Sequence, residues 1–430
     1  MPPSQLSPAL LTDRYELTML AAALADGTAD RDCVFEVFAR RLPHGRRYGV
    51  LAGTGRFLDA LADFRFGAAE LDAVRAQGID DPRLLDHLAA FRFTGDIDGY
   101  AEGDVYFPGS PVLTVRAPFG QAVLLETLVL SVLNHDSAIA AAGARMIGAA
   151  CGRPCIEMGS RRTHEEAAVA AARAAALVGF TATSNLAAGA RYGIPTTGTS
   201  AHAFTLLHDD EAAAFRAQLD ALGAGTTLLV DTYDTEQGIR TAVEVAGPEL
   251  GAVRLDSGDL AIQATRAREL LDSLGATGTK VIVTSDLDEY AIAALAAAPV
   301  DGYGVGTSLV TGSGSPTVGM VYKLVERDGV PVAKRSEGKN SVGGRKHAVR
   351  RHGADGTATA EVVSSAPVEP RAGDRDLLVP LVREGRVCAD VSPAEALRLA
   401  REHHERVRAA LPAEGWALSR GEPALETLTA

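Results

Sequence analysis

Between about residues 154 and 306 the apolar positions come in short blocks separated by longer amphipathic stretches. The blocks PCIEM (154–158), GFTATS (179–184), IPTTG (194–198), TTLLVD (226–231), AVRLD (252–256), KVIVTSD (280–286) and DGYGVG (301–306) read as strands. HEEAAVAAARAAALV (164–178), TEQGIRTAVEV (235–245) and DLAIQATRARELLDSL (259–274) lie between them and read as helices. Repeated strand–helix units imply parallel strands joined by right-handed crossovers. Seven such units suit an irregular β/α barrel or an open doubly wound sheet, and the pattern alone does not separate the two.

The flanks follow other periods. YELTMLAAALADG (15–27) predicts a helix with a glycine stop, and the alternating CVFEVFAR (33–40) predicts a strand. GVLAGTGRFLDALADF (49–64) and DPRLLDHLAAF (81–91) predict helices. The Gly53-Thr54-Gly55 stretch lacks the lysine and the spacing of a phosphate loop, so it reads as ordinary helix or turn. After PVLTVRAP (111–118) a long helix is expected over about 120–150, with Glu126, Asn134 and His135 as surface or capping groups. Residues 312–350 read as strands and a loop. The basic stretch at 335–351 is either a solvated hairpin or a loop that reaches a phosphate. The tail carries one helix, 392–411, on which His403 and His404 sit among charges and read as solvated. The domain organisation expected is a mixed α/β domain over 1–120 completed by 320–390, a barrel over 121–319, and a helical tail over 391–430.

Composition narrows the partners. Lys and Arg total 42 against 55 Asp and Glu, a net charge of -13 over 430 residues. An acidic chain of this size disfavours a broad nucleic-acid or anionic-membrane footprint. An anionic ligand must then be met by a local cluster of cations and backbone N–H groups. Cys151 and Cys155 have no following His or Cys pair at zinc spacing, so the four cysteines read as free thiols. No run of about 18 apolar residues is seen, and the N-terminus lacks the basic region of a signal peptide. A cytoplasmic location is expected.

The chemistry collects where the strands end. Polar clusters follow them at 159–162, 183–185, 198–202, 231–234, 256–259, 284–286 and 306–308, and in parallel β/α folds those ends face the site. Helix capping explains Asp259 and Asp288. It does not explain Arg161, Arg162, Arg254 or His202, because a cation opposes the dipole at a helix N-terminus. Basic groups at several strand ends point to an anionic ligand. The last two ends, with Ser285, Asp286, Gly306 and Thr307, offer small residues and free N–H groups of the kind that bind phosphate. Asp231, Asp256 and Asp259 are candidate ligands for Mg²⁺ shared with bound phosphates.

LLTDRYELTM (10–19), FEVFARRLPHG (35–45), EMGSRR (157–162), TSNLAAGARYGIPTTGTSAHAF (183–204), DTYDTEQG (231–238), VRLDSGDL (253–260), VGTSLVTG (305–312) and VYKLVE (321–326) resemble the nicotinate phosphoribosyltransferase family. The resemblance runs from about residue 10 to 350. It implies the type II phosphoribosyltransferase fold: an irregular β/α barrel packed on a mixed α/β N-terminal domain, working as a homodimer with shared active sites. It also implies the reaction of nicotinate with 5-phosphoribosyl pyrophosphate, with Mg²⁺ as cofactor and ATP as co-substrate. By motif, Tyr15 would stack on the nicotinate ring from the partner subunit. Thr199 and Arg254 would hold nicotinate, with Arg161 beside it. Ser257 and Asp259 fall among the substrate-binding residues. Thr307 would bind the donor's 5-phosphate, helped by Gly306, Ser285 and Asp286. His202 matches the histidine that is phosphorylated, and Asp231 the acid that orients it. Met158 stands where the related nicotinamide enzyme has an aromatic ring.

The related nicotinamide enzyme also places an aspartate near Ser184, where it accepts an amide N–H. Its absence here removes a repulsion against a carboxylate and favours nicotinate. The alternatives are a nicotinamide or quinolinate phosphoribosyltransferase, a non-catalytic nucleotide-binding homologue, and an aldolase- or isomerase-type phosphate barrel. The last class often needs a strand-end Lys or Glu as base, and only Glu157 stands close to one.

Overall fold

The computed structural model describes residues 7–334 and 342–429. Residues 335–341 of the basic segment lie outside the described residues. The chain divides into two compact units, Met1–Ala140 with Ser315–Ala430, and Ala141–Gly314.

The first unit is built on a seven-stranded sheet. Its strand Asp32–Ala39 pairs antiparallel with Met320–Arg327 on one side and Leu113–Pro118 on the other. Phe35 from that strand stacks on Tyr322 at 4.7 Å between ring centroids. The helix expected over 49–64 is shorter. Gly49–Val50 is a strand paired with Val105–Tyr106, and the helix runs Thr54–Ala62. Gly53 makes the break with φ 95°. The N–H groups of Gly53 and Gly55 are already bonded to the Glu102 carboxylate, at 2.7 and 3.1 Å. That occupies the donors a phosphate would need. The long apolar segment is a short helix, a 3-10 turn and the helix Glu126–Ala149. Phe119–Ala149 is in fact apolar and long enough to pass a length-and-composition test for a membrane span, correcting the reading above. However, 67% of its most apolar window is buried in protein, as in a core helix.

The tail helix Pro393–Ala409 also departs from expectation, because His404 is buried. Its Nδ1 lies 2.9 Å from the Gly103 carbonyl, and its Nε2 is buried with no partner among the described residues. Gly103 has φ 91°, and a Cβ there would collide with the Ala400 carbonyl, so only glycine lets the loop lie this close to the helix. His403 next to it bonds Asp104, whose carboxyl burial alone would raise; His403, Arg350 and Arg375 outweigh that and hold it low. Burial pushes His404 down to about 4, with the Gly103 bond and Asp104 opposing and Arg408 and His403 assisting. A folded value below the unfolded one means stability present above pH 6.5 and lost as pH falls toward 4. The shift corresponds to roughly 3 kcal/mol. Urea melts between pH 7.5 and pH 4.5 should therefore show a falling midpoint whose slope flattens in His404→Leu. An unchanged slope would exclude His404 as its source.

The second unit carries β1 (Cys155–Glu157), β2 (Ala182–Thr183), β3 (Thr227–Leu229), β4 (Ala252–Leu255), β5 (Lys280–Val283) and β6 (Gly302–Val305). The order is β2-β1-β6-β5-β4-β3, with every pair parallel. The sheet is curled into a half-barrel, so the irregular barrel, not the flat doubly wound sheet, is the fold. The strand expected at 194–198 contributes a single bridge, Thr196 to Thr183. Pro195 has no N–H to give, so the ladder reduces to Thr183 N–H on the Pro195 carbonyl and Thr197 N–H on the Thr183 carbonyl, both 3.0 Å. The helices that matter for the site are α1 (Glu165–Leu177), α2 (Leu186–Tyr192), α3 (His202–Leu206), α4 (Glu211–Leu222), α5 (Thr235–Ala246) and α6 (Leu260–Ser273). The Ala-rich α1 is buried along most of its length, since small side chains let a helix lie close to its neighbours.

Candidate active site

Parallel strands deliver their C-terminal ends to one edge of the sheet, and the helices that follow need caps there. Asn185, Asp210, Asp234 and Asp259 fill that role through side-chain bonds to the N–H groups of Ala188, Ala213, Gln237, and Ala261 with Ile262. Removing these capping groups leaves a smaller set that capping does not account for.

Two cavities open at this edge. A deep one of about 920 Å³ is lined by Ile156, Met158, Arg161, Ser184, Thr199, Arg254 and Ile282, and continues down to Ala252 and Lys280, the first residues of β4 and β5. A shallower one of about 220 Å³ is lined by Arg162, Asp256, Thr284, Ser285, Asp286, Gly304, Gly306 and Thr307. Met158, Arg161 and Arg254 line both. The first has room for an aromatic ring, with Ile156, Met158 and Ile282 as its apolar wall. The second has the glycines, hydroxyls and cations of an anion cradle.

Arg254 is the third residue of β4 and half buried. Its Nη1 donates to Thr199 Oγ1 at 3.4 Å, and its Nε–H is buried with no partner among the described residues. Burial lowers its affinity for a proton and Arg161 adds to that, while Asp256 and Asp231 oppose it. A guanidinium keeps its charge regardless. It stands under-paired between the two cavities. At the outer cavity Ser285 holds φ 132°, a region that side chains other than glycine rarely enter.

His202, Asp231, Ser257 and Asp259 line neither cavity; they gather beside Asp256. His202 Nδ1 lies 3.1 Å from Thr232 Oγ1, and its Nε2 is 3.9 Å from Asp256 Oδ2. Asp231, assigned by resemblance to orient His202, instead accepts from the Asp256 N–H at 2.8 Å and the Ser257 hydroxyl at 2.7 Å. Its other oxygen is buried with no partner among the described residues. The imidazole's neighbours are thus Thr232 and Asp256. Thr232 was not singled out in the sequence, although it sits one residue past the strand-end aspartate. Asp256 is fixed from its far side by the Thr284 hydroxyl. Glu211, at the start of α4, was also missed. Burial and the charges of Asp231 and Asp234 push its carboxyl up to about 7, and its Oε1 is buried without a partner among the described residues.

Tyr15 lies in the other unit, on the helix Arg14–Asp26, and is 44% exposed. Burial of its hydroxyl and the nearby Glu126 and Glu16 push its ionisation well up, so it is a neutral phenol.

Open cations beside glycine-lined turns, at the carboxyl edge of a parallel sheet, are what a barrel enzyme for anionic substrates presents, and the geometry assigns the chain to that class. Comparison with known proteins makes the assignment narrower. The chain is 61% identical, over 100% of its own length and 96% of the relative's, to nicotinate phosphoribosyltransferase pncB1 of Mycobacterium tuberculosis (strain CDC 1551 / Oshkosh). It is 39% identical to the Bacillus subtilis (strain 168) nicotinate phosphoribosyltransferase over 74% of this chain and 67% of that one. A family model for the nicotinate phosphoribosyltransferase (NAPRTase) N-terminal domain matches residues 10–134. The crystal structure of human nicotinic acid phosphoribosyltransferase superposes with a TM-score of 0.84 at 26% identity, covering 98% of this chain and 97% of that chain. The chain belongs to the nicotinate phosphoribosyltransferase family.

Proposed function

We propose that this chain transfers phosphoribosyl from 5-phosphoribosyl pyrophosphate to nicotinate, forming nicotinate mononucleotide and pyrophosphate in the cytoplasm. The observation that carries the reading is the position of Arg254 and Arg161 on the wall common to the deep cavity and the anion cradle. The ring would lie in the deep cavity, its carboxylate paired with the free Arg254 donor. The donor's phosphate would lie against Ser285, Asp286, Gly306 and Thr307. The ring nitrogen and the anomeric carbon then meet where Met158, Arg161 and Arg254 stand. The pyridine nitrogen already holds a lone pair, so no general base is needed. The carbon–oxygen bond to pyrophosphate breaks as the carbon–nitrogen bond forms, through an oxocarbenium-like state. The protein's share is placement and charge stabilisation. Tyr15 would reach the ring from the partner subunit of a homodimer.

Mg²⁺ bound with the donor would neutralise the departing pyrophosphate. Among the described residues no group of three or more His, Cys, Asp or Glu is set to hold a metal ion. A site of few carboxylates completed by phosphate oxygens and water fits that better than a protein cage. Asp256 is the best-placed carboxylate, since it alone of the three candidates lines the outer cavity. Asp259 uses Oδ1 on its helix cap.

His202 is left for ATP coupling. With the Nδ1 proton directed to Thr232, Nε2 carries the lone pair and can take the terminal phosphoryl group, releasing ADP. The test is product formation from nicotinate with and without ATP, beside a parallel nicotinamide reaction. We expect product from nicotinate, increased by ATP, and at least about tenfold less from nicotinamide at equal concentration. In His202→Ala the ATP-dependent gain should fall to about one. No product from either base would return the chain to the non-catalytic reading, and an undiminished gain in the variant would remove His202 from the coupling.

A further inference from the structure

Glu157 is fully buried at the end of β1, and burial pushes its carboxyl up. Among the described residues no cation pairs with it. A buried carboxylate without a counter-ion is costly and gives little stability in return, so its hydrogen bonds should show why it is there. One oxygen accepts from the Gly159 N–H and the other from the Thr183 hydroxyl. Thr183 Oγ1 in turn accepts from the Asn185 N–H at 3.0 Å. The Asn185 amide donates to Ser160 Oγ at 3.1 Å, and Ser160 follows Gly159 in the chain. The bonds close a ring that joins the turn after β1 to the turn after β2. Ser184 N–H adds a bond to the Glu157 carbonyl at 2.9 Å. Gly159 must be glycine here, since a Cβ would collide with Val310 and lie 3.0 Å from Glu157 Oε1.

The ring carries Ser160, Arg161 and Ser184, and all three face the deep cavity. The anion cradle rests on the ends of β5 and β6, but Met158, Arg161 and Arg162 of the turn after β1 line it as well, whereas of the two cavities Ser160 and Ser184 line the deep one alone. We propose that Glu157 is a positioning residue: its carboxylate locks the ends of β1 and β2 so that Arg161 and Ser184 are presented to the aromatic acid. The proposal rests on the reading of the deep cavity as the nicotinate site. It assigns Glu157 chiefly to ring binding, through Ser160 and Ser184, and not to proton transfer.

The variants separate geometry from charge. Glu157→Gln keeps an oxygen for Gly159 and turns an N–H toward Thr183, so the ring can re-form without the charge. Glu157→Leu keeps volume and abolishes the ring. Thr183→Val cuts it at the next bond without touching the carboxyl, and serves if Glu157→Leu does not fold. Steady-state kinetics should give a KM for nicotinate raised tenfold or more in the Leu and Val variants, a clearly smaller rise in the KM for 5-phosphoribosyl pyrophosphate, since Arg161 lines both cavities, and a Gln variant within about threefold of the parent. Hydrogen exchange at the Gly159, Ser184 and Asn185 amides should accelerate in Leu and stay slow in Gln. Equal effects on both KM values, lowered thermal stability with unchanged KM, or a Gln variant as impaired as Leu would overturn the proposal. A parent enzyme inactive on nicotinate would overturn the reading beneath it, while the exchange rates would still decide whether Glu157 organises the two turns.

Discussion

Arg254→Leu should raise the KM for nicotinate by about 100-fold. The substituted side chain fills similar space along β4, so the sheet should stand. What goes is the guanidinium whose Nε–H is buried and unpaired and whose Nη1 makes only a long bond to Thr199. Removing one partner of a desolvated, hydrogen-bonded charge pair costs roughly 2–5 kcal/mol, and each 1.4 kcal/mol or so is a factor of ten. The carboxylate would then enter a cavity whose remaining cations are Arg161 and Lys280, both exposed and less desolvated. Arg254→Lys should recover only part of the loss, since an ammonium on a flexible stem does not reproduce the planar fork. Nicotinamide turnover should change far less than nicotinate turnover, because an amide brings no charge for Arg254 to meet. A variant whose KM rises for 5-phosphoribosyl pyrophosphate and not for nicotinate would move Arg254 to the donor.

The strand ends were legible because short apolar blocks and the polar clusters after them mark where parallel strands stop. The same clusters held Arg161, Ser285, Gly306 and Thr307, and Arg254 stands in the apolar block just before one of them; all five line one cavity or the other. Period and composition say little about partners distant in sequence. Nothing near Gly53 announces that Glu102 will occupy its N–H. The His404 environment is made by a loop 301 residues away, at Gly103, and a helix dense in Arg and Glu gives no local sign of it. The bridge at Thr196 was overcalled because IPTTG is apolar and β-branched, whereas the missing Pro195 N–H limits its pairing. Side-chain direction was also hidden. Asp231 is in the cluster where the sequence put it, yet its bonds go to Asp256 and Ser257, and Thr232 takes the place beside His202.

Gly304→Ala should damage donor binding more than ring binding, although Gly304 makes no polar contact with either cavity. A Cβ on it would stand 2.5 Å from Thr284 Cγ2 and 2.7 Å from Met158 Sδ. The Met158 thioether is the end of a flexible chain and can turn away. Thr284 is short, β-branched and buried, and its N–H is tied to the Leu255 carbonyl at 2.9 Å. The strain must therefore fall on Thr284, and through its hydroxyl on Asp256. Asp256 and Thr284 both line the outer cavity of about 220 Å³, where a single methyl group occupies a meaningful share of the space. Overpacking of this kind costs about 1–3 kcal/mol, which would appear both as a lower melting temperature and as a KM for 5-phosphoribosyl pyrophosphate raised roughly tenfold or more. The KM for nicotinate should move less, because Met158 keeps room to rearrange along the much larger deep cavity. If instead Gly304→Ala raises the nicotinate KM alone, Met158 and not Thr284 yields into the site, and the outer cavity loses its claim to the donor phosphate.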